Sequence, residues 1–520
     1  MESAAELDTD PAAALVTPAR LYPVVLAAGA GSLATEIAAS RLLAPYFGSS
    51  TVVWANIIGL ILIYLSVGYW IGGRIADRHA TPQRLGAILL IAAACLAVLP
   101  FIAHPILGVA LRGFDAVSIG TIAGSFVATL ALFSAPVTLL GMASPFAIRL
   151  ALVDVREAGT VSGRLYALST LGSIAGTFLP ALVTIPLIGT QRTMLAAALL
   201  IALSAVLLLD ARWLAVAGVI AALLLVPPGT VKESAGLIFE TESQYQYVQV
   251  VQSDGKRELQ TNEGISSQSV YRANTVLTGG EWDMFLVVPP LVDHPVHRVL
   301  IIGSAGGTTA RAYSAFYPQA QVDGVELDPA VSDAGRRYFA LDSIAQLHTY
   351  NEDGRVFLRR SDQRYDVIVI DAYRRDYIPF YLATKEFFQL CRDHLHSGGA
   401  LAINAAKVPE DDRLAAAVRG TVATVFPSTW TWKALRFNEM ILGLDQPAAP
   451  HAQLVAREDA LAPELAVLRP SFDANLVAVS ASADPLTDDR APVEWLSDRM
   501  FIAHIANGGV LDEQLLPTAP

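Results

Sequence analysis

Residues 299–328, VLIIGSAGGTTARAYSAFYPQAQVDGVELD, read as an apolar strand, a glycine turn, a helix and a second strand ending in Glu326 and Asp328. That order is one nucleotide-binding half of a doubly wound parallel sheet. Gly303, Gly306 and Gly307 let the backbone approach a ligand closely. Glu326, 23 residues after the first of them, is placed to accept both hydroxyls of a ribose. An adenosine-type nucleoside is the expected ligand. The turn reads GxxGG, neither the GxGxxG of dinucleotide sites nor the GxxxxGK of a phosphate-cradling loop, so a ligand without a pyrophosphate is expected.

The alternation continues downstream. The pattern predicts strands at 299–302, 321–326, 366–370, 400–404, 428–434 and 439–444, with helices at 308–316, 329–340, 384–395 and 411–425. This is a mostly parallel sheet with helices on both faces, which binds ligands at the carboxyl ends of its strands. The glycine turn, Glu326, Asp353 and Asp371 all fall at such ends. Each has a plainer reading: Asp353-Gly354 is also an ordinary turn, and Asp371 is placed to cap the next helix. Upstream, YQYVQVVQ and RELQT flank Ser-Asp-Gly-Lys, a hairpin turn, so 235–293 is expected to be a small β domain before the α/β domain of 294–510.

The first 230 residues are different in kind. Mean hydropathy of +0.45 is too high for an ordinary soluble chain of 520 residues, so one part must carry spanning helices. Apolar stretches long enough to cross about 30 Å of hydrocarbon run at roughly 21–44, 52–73, 84–104, 117–150, 162–188, 192–209 and 213–227, about seven spans within 21–228. The acidic, proline-containing residues 1–20 do not read as a cleavable signal and form a cytoplasmic tail. Arg74, Arg78 and Arg84 between the second and third spans place that loop in the cytoplasm. Seven spans would leave the C-terminal half outside the cell, where nucleoside substrate is scarce. The expected chemistry therefore requires an even count or a re-entrant piece.

Charge divides the same way. Residues 1–230 carry a net +1 and the remainder −13. An acidic domain repels nucleic acid and attracts cations, polyamines included. Cys95 and Cys391 are too few and too distant for a disulfide framework, and no metal-binding spacing is present. Glu36 and Arg41, in or near the first span, are costly to bury and mark a paired site or a snorkelling cation.

VLIIGSAGG, VELDP, NEDGR, YDVIVIDAY, TKEFFQLCRDHLHSGGALAIN and PLTDDRAPVEW, with ESQYQYVQV upstream, resemble the spermidine synthase family of aminopropyltransferases, in particular its membrane-fused bacterial members. The resemblance covers about 235–445. It implies a class I methyltransferase-like Rossmann domain and aminopropyl transfer from decarboxylated S-adenosylmethionine, a co-substrate, to a polyamine such as putrescine, without a resident metal or cofactor. The membrane half is similar to the front of a major facilitator transporter, with GGRIADR resembling that superfamily's GxxxDR. A lipid bilayer, the sulfonium donor and an amine acceptor are the implied partners, a homodimer is allowed, and nucleic acid is not expected.

Carried over residue by residue, the resemblance implies that Glu326 binds the ribose hydroxyls, Asp353 the adenine amino group with Gly354 giving room, and Gly303 lines the nucleoside pocket. Asp371 matches the proton acceptor. Gln246 faces the amine, and Tyr373, Asp376 and Asp283 are the other amine-side candidates, the first two in an expanded loop, DAYRRDYIP. Two departures stand out. The family's ammonium-binding Asp is replaced by Gly306, and its YHE appears as Glu281, Trp282 and Asp283. Both remove polar recognition of the reacting chain. Two other readings therefore stay open: a nucleoside- or polyamine-binding sensor or transporter without turnover, and methyl transfer from intact S-adenosylmethionine, with Arg374 and Arg375 as its cations.

Overall fold

A computed structural model describes residues 18–48, 51–114, 120–262, 266–373, 378–447 and 450–509. The chain forms two compact units, divided near residue 232.

The first unit is helical: α1 (Pro18–Phe47), α2 (Thr51–His79), α3 (Pro82–Phe114), α4 (Gly120–Gly141), α5 (Ala143–Ala151), α6 (Ala158–Leu179), α7 (Ile185–Val206) and α8 (Leu214–Leu223). Five helical runs are long and apolar enough to cross a membrane. The expectation of seven spans is corrected in two ways. Leu214–Leu223 has ten residues, about 15 Å of helix, and cannot cross 30 Å of hydrocarbon. The two stretches expected at 162–188 and 192–209 belong to one apolar run, Val155–Val206, in which Gly189 leaves helical geometry at φ 81° and ψ 168°.

That run turns back on itself. A Cβ on Gly176 of α6 would lie 2.1 Å from the Ala30 carbonyl of α1, while one on the adjacent Gly31 would meet Ile201 of α7 at 2.4 Å. Residues 176 and 201 therefore lie level with each other on the two sides of Gly189. The Thr193 hydroxyl also donates to that of Thr184 at 2.9 Å, across nine residues that would span about 13 Å of straight helix. Small residues set the close α1–α6 packing, as is usual between membrane helices.

The second unit holds both sheets. Strands β1 (Leu237–Glu242), β2 (Tyr247–Ser253), β3 (Lys256–Thr261) and β4 (Ser267–Arg272) form an antiparallel meander. Its expected hairpin is present, with Asp254 and Gly255 both at positive φ, 50° and 74°, as a two-residue type I′ loop demands. The second sheet contains β5 (Arg298–Ile302), β6 (Gln321–Val325), β7 (Leu347–Tyr350), β8 (Tyr365–Ile370), β9 (Leu395–Ala406), β10 (Ser428–Lys433), β11 (Asn438–Leu444) and β12 (Val477–Ala478). Their order is β12-β10-β11-β9-β8-β5-β6-β7.

Strands β5 to β9 run parallel, and β10 to β12 add antiparallel pairs at one edge. Every residue of β8 is buried, which is why YDVIVI reads as a continuous apolar run and not an alternating one. The chain order reverses between β5 and β8. That reversal opens a crevice at their carboxyl ends. Helices α9 (Thr308–Phe316), α10 (Pro329–Tyr338), α11 (Gly354–Arg360), α12 (Lys385–Asp393) and α13 (Arg413–Val422) connect the strands.

The meander is tied to this crevice by three contacts. Ser243 donates to the Asp328 carboxylate at 2.6 Å, Ser269 accepts from the Gly306 N–H at 2.8 Å, and the Val270 N–H donates to Thr308 at 2.9 Å.

Candidate functional site

The strand β5 ends in Gly303, whose φ of 86° suits only a residue without a side chain. A Cβ there would sit 2.4 Å from the Asp371 carbonyl oxygen, so the ends of β5 and β8 approach through this glycine. The turn continues through Ala305, also at positive φ, to Gly307, which begins α9. Ala305 donates its N–H to one oxygen of Glu326 at 3.0 Å, and Asp328 donates to the other at 3.0 Å. The glycine turn and the end of β6 are thus held together by the carboxyl group of Glu326. Protein surrounds that group closely although part of its surface stays open, and desolvation pushes its pKa up to about 7. The nearby Asp328 adds to the shift, while the donated N–H groups oppose it.

Asp371 continues β8 into the crevice. Desolvation pushes its carboxyl up to about 6, against hydrogen bonds from the side chains of Asn404 and Trp282. Asn404 donates at 3.3 Å from the end of β9. Trp282 is 7% exposed and stands in the segment where the sequence pointed only to a missing histidine. An indole N–H can only donate, so it fixes the acceptor side of the carboxylate. Sequence reasoning missed both partners. A polar residue closing the apolar run ALAIN was the available signal for Asn404.

Asp353 caps α11. Its Oδ1 accepts from the N–H groups of Arg355 and Val356, each at 3.0 Å, and its Oδ2 accepts from the Tyr381 hydroxyl at 2.8 Å. Asp353 is thus a helix N-cap and not an ordinary turn, whereas Asp371 does not cap the helix that follows it, α12, whose N-cap is Thr384. What remains for a ligand is the second lone pair of Oδ2. Gly354 lets α11 start against β5, since a Cβ there would lie 2.4 Å from the Ile302 side chain.

The structure brings together Gly303, Gly306, Gly307, Glu326, Asp353, Gly354 and Asp371 around the carboxyl ends of β5 to β8. The amine-side residues fare differently. Asp283 is 2% exposed and receives hydrogen bonds from the Thr278 N–H and hydroxyl and from the Gly279 N–H, with burial raising its pKa. It pins a loop and is not presented to a substrate, so its expected role as an amine ligand is corrected. Tyr373 donates its hydroxyl to the Asn404 carbonyl at 2.9 Å, bracing the residue that holds Asp371. Gln246 is half-buried beside Ser243, and its side-chain amide makes no hydrogen bond among the described residues. Asp376, with Arg374 and Arg375, lies outside the described residues.

The motif PLTDDRAPVEW is structural at its centre. Asp488 forms a two-pronged pair with Arg355 at 2.7 and 2.6 Å and accepts from Thr384 at 2.7 Å, clasping α11 to the start of α12.

Residues 283–435 match the family model described as spermine/spermidine synthase domain. Over 191 residues the chain is 36% identical to a probable polyamine aminopropyl transferase from Bifidobacterium longum, covering 36% of this chain and 42% of that protein. Over 110 residues it is 38% identical to a polyamine aminopropyltransferase from Vibrio vulnificus, covering 21% of this chain and 37% of the relative. The chain thus spans less than half the length of these curated relatives. Among solved structures, a probable spermidine synthase from Corynebacterium glutamicum aligns over 44% of this chain and 88% of its own at 18% identity and a TM-score of 0.38.

Proposed function

From the premise that its C-terminal half is spermidine synthase-like, we propose that this protein is a membrane-anchored aminopropyltransferase. It would transfer the aminopropyl group of decarboxylated S-adenosylmethionine to a polyamine. One observation carries the reading: a carboxyl with a pKa raised to about 6, Asp371, at the strand-order reversal beside the glycine turn. A general base works best with a pKa near the working pH.

In the proposed reaction Glu326 accepts the ribose hydroxyls and Gly303 lets the nucleoside lie against the backbone. The acceptor's ammonium gives its proton to Asp371. The freed amine attacks the methylene next to the sulfonium, a C–N bond forms as the C–S bond breaks, and the sulfur keeps the bonding pair to leave as methylthioadenosine. The new nitrogen takes up the positive charge that the sulfonium loses, and the proton given up by the acceptor rests on Asp371. The test is to incubate the detergent-purified protein with decarboxylated S-adenosylmethionine and putrescine. Formation of methylthioadenosine and spermidine in equal amounts supports the reading; measurable donor binding with no product from any polyamine overturns it. That second outcome would favour a sensor without turnover, to which Gly306 in place of an ammonium-binding carboxylate already points.

Because ribose hydroxyls bind the ionised carboxylate, donor affinity should depend on Glu326. In the free protein this group is half protonated near pH 7. As pH falls below that value a proton must be removed for binding, and affinity should drop by up to about tenfold per pH unit. Calorimetry with methylthioadenosine between pH 5.5 and pH 8 checks this, with Glu326→Gln expected to abolish the pH slope. A flat profile in the parent protein would remove the ribose assignment.

The fold-back at Gly189 supports six crossings, an even number, which puts both ends of the chain on the cytoplasmic side of a cell membrane. A reporter fused after Pro520 should then behave as cytoplasmic. Labelling of that end from outside intact cells would reverse the topology and with it the access of the site to its substrates.

A further inference from the structure

The second unit is strongly acidic, and its half-buried arginines are normally paired: Arg298 with Asp323, Arg355 with Asp488, Arg392 with Asp445 and Arg419 with Glu439. Arg272 and Arg311 are among those that depart from that pattern. Arg272, at the end of β4, has a buried Nε with no hydrogen-bond partner. Arg311, on α9, lies 4.3 Å over the ring of Tyr271, and burial lowers its pKa. Neither has a carboxylate partner among the described residues. Both line one small recess with Tyr271, Thr275, Thr278 and Thr308, about 240 Å³ including its open mouth.

The threonine hydroxyls there are committed: Thr275 to Leu277, Thr278 to Asp283 and Thr308 to Val270. The donors left over belong to the two guanidinium groups, of which that of Arg311 also donates to Tyr271. A partly desolvated cation without a counter-charge is costly, and a planar fork of N–H donors matches an oxyanion. We propose that Arg272 and Arg311 form a binding site for a small oxyanion, a carboxylate or a phosphate group, one helical turn along α9 from the glycine turn. The site does not depend on aminopropyl transfer. Its position beside Gly306, where Ser269 and Thr308 bind β4 to the turn, allows the oxyanion to be either a free ion or the carboxylate of a ligand seated in the crevice.

The test is calorimetric titration of the full-length, detergent-purified protein with inorganic phosphate, at ionic strength held constant with chloride. Saturable binding is expected, weakened about tenfold or more by Arg272→Gln and by Arg311→Gln, as for loss of a charged hydrogen-bond donor. Asp371→Asn should leave it unchanged, which separates this result from any failure of the catalytic reading. Arg272→Lys, which keeps the charge and loses the fork, should fall between parent and Gln variant and serves if the Gln variant does not fold. Absence of saturable binding, or equal binding by the parent and both arginine variants, overturns the proposal. Intact S-adenosylmethionine displacing phosphate where methylthioadenosine does not would assign the oxyanion to a ligand's carboxylate. Simultaneous binding of both would assign it to a free ion.

Discussion

Asp371→Asn is expected to lower the single-turnover rate of aminopropyl transfer by about 100-fold or more while donor affinity stays within about twofold. Asparagine keeps the size of the side chain and an oxygen to accept from Trp282 and Asn404. What it lacks is a lone pair basic enough to take the acceptor's proton. In the parent protein the same rate should rise with pH through about 6 and then level off, because the ionised form is the active one. Rapid mixing of enzyme and donor with excess amine, followed over pH 5 to 8, measures both effects. A variant that turns over at the parent rate, or a parent profile with no inflection near 6, would take the proton-accepting role away from Asp371.

Gly303→Ala should be strongly destabilising for a single added methyl. Its backbone is left-handed at φ 86°, and the new Cβ would lie 2.4 Å from the Asp371 carbonyl oxygen and 2.6 Å from the Ala372 Cα. Backbone atoms at a sheet end cannot swing aside as a side-chain tip can. Strain and overpacking together should cost about 3 kcal/mol or more, lowering the melting transition of this unit by roughly 6 to 12 °C. Relief requires β5 and β8 to separate, which would also draw Asp371 from Trp282, so activity should be lost at temperatures where the fold survives. Differential scanning calorimetry beside a donor-binding titration checks both. Unchanged melting would mean that the turn is more yielding than its geometry implies.

Strands β5 and β8 were legible because each is a buried apolar run closed by a glycine or a carboxylate. Helix 308–316 and strand 428–434 fall within a residue of the observed elements. Strand β7 was not legible: Leu-His-Thr-Tyr is short, half polar and at the sheet edge, where only one neighbour constrains it. Residues of the nucleoside side could be named because their function is tied to local spacing, from the glycine turn to Glu326. The amine side could not, because it is assembled from distant segments. Asp283 and the adjacent Trp282 point to different surroundings, and only the folded chain shows that one pins a loop while the other hydrogen-bonds to Asp371. In the first, helical unit, hydropathy marked the apolar stretches well. It carries no information on whether Gly189 continues a helix or reverses it, since that depends on one backbone angle.

The pair between Arg355 and Asp488 joins residues 133 positions apart. Translation at about 5 to 20 residues per second separates their appearance by roughly 7 to 27 s. During that interval strands β8 to β12 emerge, yet until Asp488 appears the guanidinium at the start of α11 has only the Tyr381 carbonyl and water to satisfy it. The nascent chain therefore acquires its sheet early and the anchor beneath Asp353 late. The clasp that holds α11 to the start of α12 closes only once the segment around Asp488 has left the ribosome, after the last strand of the sheet is already out.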